Sequence, residues 1–536
     1  MAWQPWGPAA LATARTLDRP LLLVLASEGC LPFEQMAAES FAEAATAAVM
    51  NEGYVCVLAD ARWHPELDRQ LQLVHQLLAG RSGGWPLLAM IDPVDARPCF
   101  AGTYLPAAPT GPLPGFADFL RQALGHFRRQ RPALQEQGER LARAFQQMVP
   151  PALSADLPLN ATPLALVRRQ LEALFDRDTG AFGRGQPVPP AAAATRLLRH
   201  WAAGAATPGP DLQALFMATL ALTRAASAPA STSATQLSGE IAAFAAASAG
   251  TGEPAFRECA EGHFAALAAL GEPAAAALPA AEDWHRLRAM AVAARWLDRP
   301  EWSDLVLAQQ AAARARHDVR VNHSRGTTAA ALAATLAALE LHWSGGAFEF
   351  ANALAEAWCG TMASTPEQAS QSTTAMAALP GLPDAPEHAD DALPSPEGTA
   401  AIALFRLGCL CGNGRWRNVA ADVLRHCWRP LNDTPSTHLA LLDALEEQTL
   451  GLETIIIRGE ATDAARWARA LGRWYAPARQ VYAIPNDAPG LPAHLANLGG
   501  ADRATQAWVF TGDELPTPSD SLEQLTRELR DRLHRD

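Results

Sequence analysis

From residue 164 to residue 448 the chain reads as one helical stretch after another, without a run patterned as a strand. The stretches 164–175, 191–203, 212–227, 236–249, 254–270, 284–297, 303–315, 327–343, 347–362, 398–411, 416–427 and 437–447 carry the pattern, and most are rich in Ala and Leu. A helix with an apolar face must bury it against a neighbour. About a dozen in succession leave few solutions, an α/α barrel or a solenoid. Alanine on the packed faces lets helices approach closely. Residues 364–393, rich in Ser, Thr, Pro and Asp, interrupt the series and read as a long loop, a length at which loops are often functional or mobile.

Residues 1–110 follow another period. Residues 21–26 and 54–59 are short apolar runs, the pattern of strands covered on both faces. Residues 31–50 fit a helix with Phe33, Met36, Phe41 and Val49 on one side. Residues 65–79 read as helix, and 87–91 and 97–101 as two strands around a turn at 92–96. A long helix or helix pair follows over 117–148. This order is that of a compact α/β domain over residues 1–150. A Pro-rich break at 149–163 separates it from a helical domain over 160–450. Strand-like runs at 453–458, 480–484 and 507–511, with helices at 462–475 and 521–533, make residues 451–536 a small α/β segment packed on the helical domain.

A chain of 536 residues exceeds one ordinary core, and 49% hydrophobic against 18% charged residues can bury a large one. The net charge of −13 argues against nucleic acid or an anionic membrane as partner. No apolar run approaches membrane-spanning length, and residues 1–7 carry no basic residue or signal pattern, so a cytoplasmic protein is expected. Lysine is absent: all 43 basic residues are arginine, in keeping with a codon bias toward Arg and Ala. Schiff-base lysine chemistry and a phosphate-loop lysine are thereby excluded. The cysteines are Cys30, Cys56, Cys99, Cys259, Cys359, Cys409, Cys411 and Cys427, and none forms a CxxC pair. Cys409 and Cys411 point to different faces of a helix near His426–Cys427. Cysteines in apolar helices are usually core filler, so neither a metal nor a cofactor is expected.

Motifs spaced through residues 2–107 carry a family resemblance: Trp3-Gln4-Pro5-Trp6; Arg19-Pro20; Cys30, Met36 and Glu39-Ser40-Phe41; Asp60 and Pro65-Glu66-Leu67-Asp68; Gly83-Gly84-Trp85-Pro86; Gly102-Thr103-Tyr104-Leu105-Pro106. In this order they resemble the spermatogenesis-associated type of thioredoxin-domain protein. The resemblance implies a thioredoxin-like domain followed by a six-hairpin (α/α) barrel related to sugar epimerases and glycosidases. Later echoes are Phe175-Asp176, Gly180-Ala181-Phe182-Gly183, Asp391-Ala392-Leu393-Pro394-Ser395 and Trp508-Val509-Phe510. The departures are as informative. Where the family carries Cys-His-Trp-Cys-His, this chain has Cys30-Leu31-Pro32-Phe33-Glu34. The family's terminal cysteines correspond to Phe510 and Leu515, and the Asn of its Pro-Ser-Gly-Asn motif to Glu397. His- and Glu-bearing barrel segments have no counterpart in residues 205–240. The chain looks like a degenerate member.

The thioredoxin-like resemblance makes Cys30 the position of the nucleophilic thiol, between a strand and a helix with Pro32 in its first turn. Helix N-terminal amides stabilise a thiolate, whereas Glu34 opposes it. Phe33 stands where a resolving thiol would be, so dithiol exchange lacks its second sulfur. Cys30 is then a structural relic or a monothiol. Pro86 after Trp85 sits where such folds hold a cis-proline, or else in a plain trans turn. Asp60 is a family position or a solvated strand end. These residues form the expected site shell. In the helical domain Asp176, Asp178, Glu240, Asp391 and Glu397 are candidate acids, and His200, His263, His323 and His342 candidate bases. Trp201, Trp284, Trp296, Trp302, Trp343, Trp358, Trp416 and Trp428 fit helix packing or a sugar-binding cavity. The expected activity is binding of an unidentified small molecule or protein without dithiol turnover. The alternatives are a carbohydrate-active epimerase- or hydrolase-like barrel and a monothiol redox protein using Cys30.

Overall fold

The structure, a computed structural model, describes residues 1–27, 29–81, 83–148, 158–183, 188–204, 211–227, 233–270, 278–316, 324–363, 378–383, 385–386, 388–499, 504–512 and 516–534. It divides into two compact units, one of residues 1–150 with 364–386 and one of residues 151–363 with 387–536.

The first unit runs α1 (Pro8–Leu17), β1 (Leu21–Ala26), α2 (Leu31–Met36), α3 (Ala44–Gly53), β2 (Val55–Asp60), α4 (Pro65–Ala79), β3 (Leu87–Ile91), β4 (Pro98–Gly102) and α5 (Phe116–Met148). The sheet order is β2-β1-β3-β4. β1 lies parallel to β2 and antiparallel to β3, and β3 is antiparallel to β4. The continuous apolar run of β1 follows from that central place. Leu21, Leu23 and Leu25 face one core with Leu67, Leu71 and Val74 of α4. Leu22 and Val24 face the other with Met50 of α3 and Phe116 and Leu120 of α5. Burial of each such side chain contributes about 1.5–3 kcal/mol.

The chain departs from the expected pattern in one helix, and takes the helix-pair form in another. The stretch 31–50 is not one helix. α2 widens into a π turn over Ala37–Phe41, where the Ala42 amide donates to the Ala37 carbonyl at 3.2 Å. Glu43 is then extended and caps α3. α5 breaks at Gln130 (φ −121°, ψ 21°), two residues before Pro132, which lacks the amide that would continue the ladder.

Residues 378–386, expected as loop next to the helical domain, pack on the first unit. Leu379 and Leu382 enter the core beneath α4. The buried amide of Gln70 holds them. Its Oε1 accepts from the Leu379 amide at 2.6 Å, and its Nε2 donates to the Leu382 and Pro383 carbonyls at 3.5 and 2.9 Å. Arg97 Nε donates to the Gly381 carbonyl at 3.0 Å. A Cβ on Gly381 would collide with the Asp95 and Ala96 backbone, so only glycine fits that approach.

The second unit carries α6 (Thr162–Leu174), α7 (Pro190–Gly204), α8 (Leu212–Ala226), α9 (Ala234–Thr251), α10 (Pro254–Ala269), α11 (Ala280–Trp296), α12 (Pro300–Arg316), α13 (Arg325–Leu341), α14 (Gly345–Ala363), α15 (Pro396–Cys411), α16 (Gly414–His426), α17 (Trp428–Asp433) and α18 (Leu439–Leu450). Neighbour packing runs α7 to α9, α11, α13, α15 and α18, and α18 returns to α7. α8, α10, α12, α14 and α16 each pack on the preceding member of that cycle. Thr235 near the start of α9 bonds Glu282 near the start of α11, and Arg325 opening α13 pairs with Glu397 at the start of α15. Arg295 near the end of α11 pairs with Glu340 near the end of α13. These neighbours therefore run parallel, with their N-termini at one end.

The remaining elements are β5 (Glu453–Gly459), α19 (Ala461–Gly472), β6 (Arg479–Pro485), α20 (Ala493–Ala496), β7 (Gln506–Phe510) and α21 (Leu522–His534). The sheet order is β6-β5-β7. Ile456, Tyr482 and Trp508 face the helical core, while Ile455, Ile457 and Val481 pack under Trp467 and Leu525.

The Gln70 anchor is testable. Gln70→Ala leaves the Leu379 amide and two carbonyls without their partner, at about 1–3 kcal/mol for each group that stays buried. Hydrogen exchange at Leu379 should accelerate while β1 and β3 stay protected. Unchanged exchange there would show that the two leucines alone hold the segment.

Candidate functional site

The strand register gathers the expected thioredoxin-like site at one edge of the first sheet. Ala26 ending β1 pairs with Asp60 ending β2, and Leu25 pairs with Leu87, the residue after Pro86. Cys30, Asp60 and Pro86 therefore lie at the same strand ends. Gly29 turns the chain out of β1 with φ 73°, a conformation suited to glycine. Cys30 is the N-cap of α2, partly exposed, and its carbonyl accepts from the Phe33 and Glu34 amides, both at 3.0 Å. Pro32 in the first turn has no amide to satisfy there. Phe33 turns inward, 6.3 Å from the ring of Phe41.

Asp60 is used locally. Its Oδ1 accepts from the Arg62 amide at 2.9 Å and its Oδ2 pairs with the Arg62 guanidinium at 3.3 Å. The Trp85–Pro86 peptide is cis. Trp85 Nε1 donates to Asp68 Oδ1 at 3.0 Å. Three large apolar side chains stand exposed along this edge: Leu31 at 73%, Trp63 at 50% and Trp85 at 40%. The other thiols of the unit, Cys56 and Cys99, are buried, and burial pushes both up to about 12. Thiolate is the reactive form, so burial disfavours both as a resolving partner for Cys30.

The second unit holds a buried ionic cluster. Arg196 Nη1 meets Asp443 Oδ1 at 2.6 Å and also bonds Glu446. Arg199 reaches Glu446 at 3.2 Å and Glu447 at 3.1 Å. Arg406 forks onto Glu447 at 2.9 and 2.5 Å. The Pro477 carbonyl accepts from Arg199 and Arg406 at 3.5 and 3.1 Å. The first and last helices of the cycle, α7 and α18, are thereby joined by charge.

At the other end of the cycle two histidines are linked. His438 Nδ1–H donates to the Thr434 carbonyl at 2.7 Å, so its Nε2 accepts from His388 Nδ1–H at 3.0 Å. Burial, with His438 and His426 as further cations, pushes His388 down to about 4. Nearby Asp390 accepts from the Ser395 and Ala440 amides, and burial pushes it up to about 6.

The candidates read from sequence scatter. Asp176 holds a turn, accepting from the Asp178 and Thr179 amides. Glu240 and His263 do meet, Oε2 to Nε2 at 2.7 Å, as an ion pair between α9 and α10. His200 lies 3.3 Å from Asp211. Asp391 and His342 are exposed. Glu397 is buried beside Arg325, which stacks on Trp358 at 4.9 Å. Trp284, Trp343, Trp358 and Trp416 are residues of one core, and Trp201, Trp296, Trp302 and Trp428 pack at the margin of another. His323 and Leu515 lie outside the described residues. Missed altogether were Arg196, Arg199, His285, Arg288, Arg406 and the acids of α18. Their signal was the i, i+3, i+4 spacing of Asp443, Glu446 and Glu447 in an otherwise leucine-rich helix.

The family described as "Thioredox_DsbH: Protein of unknown function, DUF255" matches residues 1–146. Mouse spermatogenesis-associated protein 20 is 24% identical over 201 residues, 37% of this chain and 25% of that protein. Over its first unit the chain is thus similar to spermatogenesis-associated thioredoxin-domain proteins. The human protein of that name is 24% identical over 208 residues, with the same shares covered. An uncharacterized Caenorhabditis elegans protein, B0495.5, is 26% identical over 189 residues, 35% of this chain and 25% of its own length. The matches thus span about a quarter of each relative's length. Among the described residues, no helix is long and apolar enough to cross a membrane, and no group of three or more His, Cys, Asp or Glu could hold a metal ion.

Two measurements probe the second unit. Arg196→Met leaves the buried Glu446 with Arg199 alone, and removing one partner of a buried ion pair costs up to about 3–5 kcal/mol. Urea unfolding should show that loss, and a change below about 1 kcal/mol would mean that water replaces the arginine. Acid should also destabilise the unit. His285, His388 and His438 are depressed below the ordinary 6.5 by burial, the first to about 3. Below pH 6.5 the unfolded chain binds their protons and the folded one does not, so stability falls as pH drops toward 4. Asp390, raised to about 6, and His263, raised by Glu240, work the other way. The histidines outnumber them, so the thermal midpoint should drop between pH 7 and pH 5. His388→Gln should flatten the slope, and a midpoint that rises on acidification would contradict this balance.

Proposed function

We propose that this chain acts by binding a ligand or protein partner, without dithiol redox turnover. The carrying observation is the sheet edge around Cys30. The residue three positions on is Phe33, turned into the core, and Leu31, Trp63 and Trp85 stand exposed on the segments that flank the same strand ends. Exposed apolar groups gathered at one edge are a binding surface, and exchange needs a second thiol that this edge does not supply. A monothiol role for Cys30 remains the nearest rival, favoured by its partial exposure at a helix start.

For the helical part we propose a closed six-hairpin (α/α) barrel. Its support is the cycle of neighbours that returns from α18 to α7, with a second helix packed outside five of its six members. A carbohydrate-active barrel would require two free carboxyls facing across a cavity, ~5–9.5 Å apart. Asp443, Glu446 and Glu447 stand on one helix and are each neutralised by arginine, which favours binding over hydrolysis. We place the protein in the cytoplasm, in keeping with its unpaired thiols.

An insulin-reduction assay tests the redox half. The wild-type chain should stay at background, whereas Phe33→Cys should form a disulfide between Cys30 and the introduced thiol, seen as the loss of two hydrogens by mass spectrometry. For the binding half, apolar peptides selected on the wild-type chain should bind Trp63→Ser/Trp85→Ser at least about tenfold more weakly, or ~1.4 kcal/mol. Wild-type turnover near that of an ordinary thioredoxin would overturn the proposal.

A further inference from the structure

Arg288 is the charge that the buried cluster leaves over. Arg196, Arg199 and Arg406 each pair with a carboxylate of α18. Arg288 makes neither a hydrogen bond nor an ion pair to any described residue. Among the described residues of the cluster, four guanidiniums thus face the carboxylates of Asp443, Glu446 and Glu447, an excess of one positive charge.

Its direction follows from the packing. α11 has α9 and α13 as neighbours in the cycle, while α18 has α15 and α7. The two helices are on opposite sides. Yet the charges acting on Arg288 are Arg406 of α15, Asp443 and Glu447 of α18 and Arg199 of α7. The guanidinium therefore reaches inward, across the cycle. The residue as a whole is half-buried rather than fully packed.

One turn earlier on the same face stands His285, buried and likewise without a hydrogen bond to a described residue. Burial, helped by Arg288, pushes it down to about 3, so it is neutral and offers one donor and one acceptor. A buried cation without a counter-charge is costly, and a planar guanidinium takes carboxylate or phosphate two oxygens at a time. The parallel N-termini of the cycle helices add a favourable field for an anion entering from their end. The opposite end is covered where Tyr475 packs on Trp296 and Pro477 bonds Arg199 and Arg406.

We propose that the interior of the helical cycle binds a small organic anion, its carboxylate or phosphate held by Arg288 and a neighbouring hydroxyl by His285. This rests on the reading of the helical part as a binding rather than a hydrolytic unit, not on the sheet edge at Cys30, and names the ligand class.

The full chain, in chloride-free buffer, is titrated calorimetrically with inorganic phosphate, glucose 6-phosphate, gluconate and glucose. Glucose 6-phosphate or gluconate should bind and raise the thermal midpoint with concentration. The stronger of the two assigns phosphate or carboxylate. Arg288→Met should weaken that binding at least about tenfold. It should also raise the midpoint in anion-free buffer, because it removes an uncompensated charge, whereas a merely structural arginine would lower it. Arg288→Lys keeps the charge but loses the fork, and should fall between. If glucose binds as tightly as the anions and Arg288→Met leaves it unchanged, the anion proposal fails while ligand binding stands. If none of the three anions raises the midpoint, or chloride does so equally well, the site is a structural charge or holds an adventitious ion, and the proposal is overturned.

Discussion

The carboxylate of Glu447 is wholly buried, with Arg199 on one side and Arg406 on the other. It joins three helices of that unit at one point. α18 is the last helix of the cycle, α7 the first and α15 the penultimate, so one side chain ties the closing helix to both flanks. Burial works against Arg406 ionisation, but Glu447 more than compensates and holds the guanidinium charged. Such an arrangement gains little over a well-packed apolar core. It does penalise any arrangement that separates the partners. Alanine-rich helices, whose small side chains offer few shape constraints, are the setting in which that penalty fixes one register.

The legible parts of the fold were those with a local cause. β1 and β3 announced themselves because both faces of each are covered, which turns a strand into an unbroken apolar run. The helices of the second unit were visible because their period is set within a few turns. The docking of residues 378–386 was not legible, since its anchor, Gln70, lies some three hundred positions away and reads as an ordinary polar residue on a helix. The π turn at Ala37–Phe41 had no signal either, for its composition differs little from the helices on each side.

The candidate sites divide the same way. Cys30, Asp60 and Pro86 could be placed at one edge because the order of strands and helices determines which strand ends coincide. The charges of the second unit could not. Asp443, Glu446 and Glu447 match the spacing of a solvated helix face, and sequence does not distinguish a carboxylate in water from one against arginine. Conversely, Asp176, singled out by its motif, spends its oxygen on two backbone amides of its own turn.

The absence of lysine, unremarkable as a compositional bias, takes on a physical meaning inside the helical unit. An ammonium buried as Arg196 and Arg199 are would tend to shed its proton, and the carboxylates of α18 would lose their counter-charge. A guanidinium stays charged, is less strongly hydrated and offers several donors in a fixed plane. That geometry lets Arg199 span two carboxylates and a carbonyl at once. The property that makes arginine suitable for closing the cycle also makes Arg288 suitable for capturing an oxyanion. Structural and ligand-facing roles thus use one side-chain type in one interior, and they differ only in whether the chain itself supplies the carboxylate.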